Sequence, residues 1–260
     1  MITSSSNSKI KAVRNLLARR NEREEKQVFV IEGVRLVEEA LQTGWLPEEL
    51  LFSSQISERG RRLVDAFSQK GVEVLEISPS LMDSLSDTDT SQGLLAVVPS
   101  RDLPLPINLD FVLVIDALRY PGNLGSILRS GAAAGVQAVL LSPGTVDAFA
   151  PKVLRAGMGA QFRLPVRNFS WDQIRDICKL QPRPLTLYLA EAGQGISLWQ
   201  ADLQQPVALV VGGEAEGATA EGRAMVDHFI TIPMPGKSES LNAAIAASVL
   251  LFEVVRQRHL

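Results

Sequence analysis

Asn123, Arg129, Glu214, Ser240 and Asn242 are the polar residues placed where chemistry could be done, each in or beside a glycine-bearing loop. The loops are YPGNLGSILRSG (120–131), LVVGGEAEG (209–217) and ITIPMPGKSESLNAA (230–244). Each follows or precedes an apolar run that reads as a strand, and in open α/β sheets ligands bind beyond the carboxyl ends of strands. The first loop is not GxGxxG, since only Gly122 and Gly125 precede the helix, so it is a weak dinucleotide signal. A helix starting near Leu124 puts Arg129 more than a turn inside it, among apolar and small residues, where something must pair with it or use it. An Asn loop cap and a salt-bridged Arg are the plainer alternative. In the second loop, Gly212 and Gly213 let a ligand approach the backbone. The plainer alternative is a strand-to-turn transition with Glu214 at a helix N-terminus. In the third, Pro233, Pro235 and Gly236 forbid regular structure. Ser238 or Ser240 is expected to cap the last helix, and Asn242, read as lying inside that apolar helix, must find partners.

Other chemistries are excluded by composition. His228 and His259 are the two histidines among 260 residues, too few for a His-based metal site or a Ser-His-Asp triad. The single cysteine, Cys178, cannot form an intramolecular disulfide and fits a reducing cytoplasm. Hydrophobic residues make up 46% and charged ones 21%, the mix of an ordinary globular chain. No uninterrupted apolar run reaches membrane-spanning length, and Met1 to Ser8 is polar, without a signal core. The net charge of −3 gives no global attraction for nucleic acid, so any such contact must be local.

The elements that position these loops fall into two domains. Residues 9–26 carry Lys9, Lys11, Arg14, Arg19, Arg20, Arg23 and Lys26 against Glu22, Glu24 and Glu25, with Ile10, Val13, Leu16 and Leu17 at helical spacing. This predicts one amphipathic basic helix. Strands at 28–33, 49–54, 72–78 and 93–99 alternate with helices at 34–44, 57–70 and around SLMDSLSD, the pattern of a small α/β layer domain over 1–98. PSRDLPLPIN (99–108) has no period and reads as a semi-rigid linker. FVLVIDAL (111–118) then opens a second domain, 109–260, as a strand buried on both faces. A helix to Gly135 and VQAVLLSP (136–143) complete a right-handed βαβ unit. Further strands are expected at 185–191, 206–214 and 228–234. A final helix, roughly Ser238 to Gln257, is expected to be buried all round.

Taken together and in order, PGNLGSILRSGAAAGVQAVLL, LVVGGEAEG and IPMPGKSESLNAAIAASVLLFE resemble the three motifs of the SpoU (TrmH-like) family of RNA 2′-O-ribose methyltransferases, in the SPOUT superfamily. Upstream, VFVIEGVRLVEEAL and DTDTSQGLLAVV are similar to that family's substrate-binding domain. The departures are Tyr120 where an Asp is usual, Gly213, Ala218, and Ala243-Ala244 for a Val-Ser pair.

The resemblance implies an α/β catalytic domain with a C-terminal trefoil knot and a smaller, ribosomal L30e-like N-terminal domain. It implies S-adenosyl-L-methionine as methyl donor, S-adenosyl-L-homocysteine as product and no metal. The cofactor would lie against Gly212, Ile232, Met234, Gly236 and Leu241. Arg129 matches the catalytic arginine. Because a guanidinium stays protonated, it would anchor a phosphate and stabilise the forming alkoxide rather than act as base. Asn123, Glu214, Ser240 and Asn242 would orient Arg129 and the ribose. Lys9, Lys11, Arg14, Arg19 and Arg20 would face RNA, 23S ribosomal RNA being favoured, in a cytoplasmic homodimer paired through the knotted domain. The alternatives are a transfer-RNA methyltransferase, a non-catalytic RNA-binding ribosome-assembly factor, and a nucleotide-dependent oxidoreductase.

Overall fold

Strand chemistry divides the molecule. The computed structural model describes residues 1–88, 90–214, 217–236 and 239–259. By contact these form two compact units, residues 1–101 with 149–162, and residues 102–148 with 163–260.

The first unit begins with α1 (Ser8–Ala18) and α2 (Arg20–Lys26) where the sequence suggested one helix. Arg19 is extended between them (φ −122°, ψ 123°). The cause is Arg23, which folds back, buried, and donates to the carbonyls of Leu16 (2.5 Å) and Leu17 (3.4 Å) at the end of α1. These are the carbonyls a helix end leaves without partners. Then follow β1 (Val28–Glu32), α3 (Val34–Gln42), β2 (Glu49–Phe52), α4 (Glu58–Gln69), β3 (Glu73–Glu76), α5 (Pro79–Leu85) and β4 (Leu94–Pro99). The sheet order is β1-β4-β2-β3, with β4 antiparallel to both neighbours and β2 parallel to β3. Ile10, Val13 and Leu16 of α1, one helical stripe, pack on Val28, Val30, Leu95 and Val97 of the sheet. Phe29 alternates to the other side, against Trp45, Phe149 and Phe162 at ring distances of 5.9, 4.9 and 6.2 Å.

The second unit is built on β5 (Phe111–Asp116), every residue of which is buried. α6 (Pro121–Ala134) and β6 (Ala138–Leu141) follow. The chain then contributes α7 (Pro151–Gly157) and a 3₁₀ turn, Ala160–Phe162, to the first unit. Residues 149–162, which the sequence reading placed in the second domain, therefore cluster with the first. It returns with β7 (Val166–Asn168), α8 (Trp171–Lys179), β8 (Thr186–Ala190), β9 (Ile196–Ser197), β10 (Val207–Gly212), α9 (Ala220–Met225), β11 (His228–Thr231) and α10 (Ala243–His259). The order is β7-β6-β5-β10-β8-β11-β9, and every pairing is parallel. Neighbours of β5 come from β6 on one side and from β10, far later in the chain, on the other. That is a topological switch point, where a crevice opens beyond the strand ends. Leu113 is fully buried there, and its truncation to Ala would cost about 2–5 kcal/mol.

Two helix starts differ from expectation. α6 begins at Pro121, not Leu124, because proline's fixed φ suits the first helical position. α10 begins at Ala243. Asn242 is exposed and precedes the helix, and its Oδ1 accepts the N–H of Ala244 (2.9 Å) and Ile245 (3.3 Å). Asn242 is thus the cap, in place of Ser240, while Ser238 lies outside the described residues. Nor is α10 buried all round. Ala247, Leu250, Leu251 and Val254 are fully buried, whereas Ile245 is 56% and Phe252 50% exposed.

Candidate active site

The loop after β5 starts with strain. Ala117 is left-handed (φ 51°), a conformation that costs a non-glycine residue roughly 1–2 kcal/mol. The turn it makes brings the N–H groups of Arg119 and Tyr120, at the start of α6, to the carboxylate of Glu214 (3.4 and 3.2 Å). Asn123 Nδ2 donates to the same carboxylate at 2.8 Å, and Asn242 Nδ2 donates to Asn123 Oδ1 at 3.1 Å. A hydrogen-bonded chain Asn242–Asn123–Glu214 therefore ties together all three glycine loops. Glu214 does sit at a helix N-terminus, but that of α6 rather than of a following helix, where the helix dipole favours an anion. Burial pushes the Glu214 carboxyl up. Hydrogen bonds from Asn123, from its own N–H and from those of Arg119 and Tyr120 outweigh this and hold it below the ordinary carboxylate range.

Arg129 stands apart from this chain. It is exposed on the α6 face that also carries Gly122 and Ser126, eight residues from Pro121, about 12 Å along the axis at ~1.5 Å per residue. The salt-bridged arginine that its neighbours suggest is not found: no ion-pair partner is present for it among the described residues. A guanidinium presented to solvent keeps its full set of donors for a ligand.

Beside the hydrogen-bonded chain opens a cavity of about 560 Å³, within the ~300–1,000 Å³ of small-molecule sites. Gly212, Ile232, Met234, Ser240 and Leu241 line it, as do Glu214 and Asn242, so the cavity and the polar chain share a wall. Gly236, expected there too, is exposed and is not among the lining residues. The glycines answer to the protein before any ligand. A Cβ on Gly212 would come within 2.4 Å of Ala218 N, and one on Gly213 within 2.9 Å of the Ala117 carbonyl. Glu191, on the cavity wall at the end of β8, was missed by sequence reading. It pairs with Arg223 at 2.6 Å, and its only sequence signal was an acidic residue ending a strand. Among the described residues no three His, Cys, Asp or Glu side chains are grouped to hold a metal ion.

In the first unit the expected basic surface is smaller than its sequence. Lys9 is paired with Glu73 (2.6 Å) and Glu49 (3.2 Å), and Arg20 with Glu24 (2.7 Å). Lys11, Arg14 and Arg19 have no ion-pair partner among the described residues.

Comparison with known proteins agrees with this layout. Residues 110–252 match the model of the SpoU rRNA methylase family, and residues 7–96 that of an MRM3-like substrate-binding domain. The chain is 31% identical to a 23S rRNA (guanosine(2553)-2′-O)-methyltransferase of Bacillus subtilis, over 97% of this chain and 98% of that one. It is 32% identical to a 23S rRNA (uridine(2479)-2′-O)-methyltransferase of Streptomyces viridochromogenes, over 98% and 91%. Its fold superposes with a TM-score of 0.84 and 29% identity on the S. viridochromogenes SpoU methyltransferase AviRb in complex with the cofactor AdoMet, covering 97% of this chain and 99% of that one. With glycine loops, cavity and polar chain arranged around the switch point of a parallel sheet, the protein belongs to the SpoU rRNA methylase family.

Proposed function

We propose that this protein transfers a methyl group from S-adenosylmethionine to a ribose 2′-hydroxyl of 23S ribosomal RNA. The observation that carries the reading is the shared wall: Glu214 and Asn242 belong both to the cavity and to the hydrogen-bonded chain running to the start of α6. The cavity suits the donor. Val211, Ile230, Ile232, Met234 and Leu241 offer apolar surface for an adenine and a methionine chain, and Gly212 and Gly213 offer backbone groups beside it. Bound there, S-adenosylmethionine supplies a methyl group already activated by its sulfonium.

The chain's own residues must align a very weakly acidic hydroxyl and stabilise the charge that develops as its proton leaves. Arg129 is assigned to that task, as a permanent cation that binds the adjacent phosphate and the forming alkoxide. Glu214 is a poor proton acceptor, because three neighbouring donors occupy its carboxylate and hold its pKa down. Its role is to fix Asn123 and the start of α6, with Asn242 and Ser240 completing the rim. The 2′-hydroxyl proton passes to water or phosphate. Residues 1–98 form the RNA-holding domain, with Lys11, Arg14 and Arg19 among its cations that have no ion-pair partner among the described residues. Neutralising them should weaken RNA affinity most at low salt. The half-exposed Ile245 and Phe252 on α10 fit the homodimer face that the family resemblance implies, and the trefoil knot and a cytoplasmic setting belong to the same reading. Among the described residues no helix is long and apolar enough to cross a membrane.

The test is tritiated-methyl transfer to ribosomal RNA from a strain lacking the gene, followed by mapping of the 2′-O-methyl position. Arg129→Ala should lower transfer about 10²–10³-fold, the cost of removing one transition-state charge donor, with S-adenosylmethionine Kd unchanged by calorimetry. Transfer to transfer RNA alone, or full activity in Arg129→Ala, would overturn the assignment.

A further inference from the structure

Asp116, the last residue of β5, is a fully buried carboxylate that the mechanism above does not use. Its acceptors are met by hydroxyl and amide donors. Oδ1 accepts from the Ser142 hydroxyl at 2.6 Å. Ser142 Oγ in turn accepts the N–H of Ala117 at 3.1 Å. Ala117 opens the loop in which the N–H groups of Arg119 and Tyr120, two and three residues on, hold Glu214. Oδ2 faces another loop. It accepts both the N–H (2.6 Å) and the hydroxyl (2.9 Å) of Thr219. Thr219 directly follows Gly217, which lines the cavity, and Ala218: Gly213 N–H donates to Gly217 O at 3.0 Å, and the cavity-lining Gly212 lies against Ala218. Space around Oδ2 is tight, since a Cβ on Gly222 would sit 2.5 Å from it.

We propose that Asp116 is a positioning residue that sets the α6 loop and the cofactor-cavity loop against each other, one carboxylate oxygen to each. The carboxylate form matters because the groups around it point donors inward. An asparagine of the same shape can turn its oxygen to Thr219, where two donors wait, and must then aim its NH₂ at Ser142. Ser142 Oγ would receive hydrogens from both Ala117 and the amide. Its own proton would be left with the Pro143 carbonyl, 3.3 Å away. Asp116→Asn therefore keeps the cavity side and disturbs the α6 side, whereas Thr219→Val does the reverse.

The proposal rests on the methyl-transfer reading, and its test separates the two. Asp116→Asn, Ser142→Ala, Thr219→Val and Thr219→Ser are compared by S-adenosylmethionine calorimetry, by kcat and KM for ribosomal RNA, and by Tm. Asp116→Asn should leave S-adenosylmethionine Kd within about twofold while kcat falls about tenfold, the scale of one hydrogen bond to a charged group. Ser142→Ala should copy it, and the double variant should be no worse than either single one. Thr219→Val should weaken S-adenosylmethionine Kd about tenfold, and Thr219→Ser, which keeps the hydroxyl, should restore it. A common loss of Kd and kcat tracking Tm across all variants, or an unchanged kcat in Asp116→Asn, would overturn the role. If the wild-type protein methylates no ribosomal RNA, the proposed function fails. The difference in S-adenosylmethionine Kd between Asp116→Asn and Thr219→Val then still decides the position of Asp116.

Discussion

Glu32 and Asp116 occupy equivalent places in the two units. Each ends a strand buried along its whole length, each is itself buried, and each accepts hydrogen bonds from Ser and Thr hydroxyls. The strand is followed in both by a residue with positive φ, Gly33 (φ 96°) and Ala117 (φ 51°). They differ in how the negative charge is met. Glu32 accepts from Ser86 and Thr88 and is paired with Arg155 at 3.1 Å, which also reaches Asp87 at 2.6 Å. Among the described residues Asp116 is met by hydroxyl and amide donors alone. An ion pair can shift its geometry and still attract, whereas a carboxylate held by neutral donors must keep each of them in place. The first arrangement anchors a loop of the first unit. The second ties the loop before α6 to the loop beside the cavity.

The largest expected effect falls on the ion-paired side. Arg155→Ala leaves Glu32 buried without its cation and should cost about 3 kcal/mol, read as a lower urea midpoint with unchanged m. A loss well under 1 kcal/mol would show that the hydroxyls suffice and that the two carboxylates are alike. Next comes the residue after each strand. Gly33→Ala must force φ 96° on a side chain whose Cβ meets Gln92 Oε1 at 3.1 Å, and should destabilise by about 2 kcal/mol. Ala117→Gly should do the opposite and raise stability by about 0.5–1 kcal/mol, since relief of left-handed strain exceeds the added unfolded-state entropy. A destabilised Ala117→Gly would mean that the methyl group contributes packing beside Gly144.

Smaller effects concern pH and reactivity. Glu214 is the exposed counterpart, a carboxylate whose folded pKa lies below its ordinary value. Such a group stabilises the fold above its unfolded pKa and ceases to as pH falls through the folded one. The Tm gap between wild type and Glu214→Gln should therefore be present at neutral pH and close in acid. No rate limb between pH 6 and 8 should trace to Glu214. Burial pushes the Cys178 thiol up to about 12, so native protein at pH 8 should resist iodoacetamide and react only on unfolding. Prompt labelling would indicate that the core beneath α8 opens readily.

Much of this was legible in residue order. Continuous β-branched runs such as FVLVID announced buried parallel strands, and the three loops carry the Asn123, Glu214 and Asn242 that the fold joins by hydrogen bonds, because local pattern and turn chemistry are written residue by residue. Short elements with weak pattern, β7, β9 and α9, were not. Nor was the break at Arg19, caused by Arg23 reaching back seven residues to Leu16. The apolar and small neighbours of Arg129 suggest something that pairs with it or uses it; helix geometry turns it to solvent, and no ion-pair partner is found for it among the described residues. By itself, then, the sequence determined the strand types, the two-part α/β organisation and the polar residues of the loops. Tertiary structure alone decided which of them touch: that Glu214 serves α6, that Asn242 caps α10, that Lys9 and Arg20 are neutralised, and that Asp116 joins Ser142 to Thr219. Those contacts span from 2 to 103 residues of chain. Most are fixed by where the parallel crossovers return each strand, which no local pattern encodes.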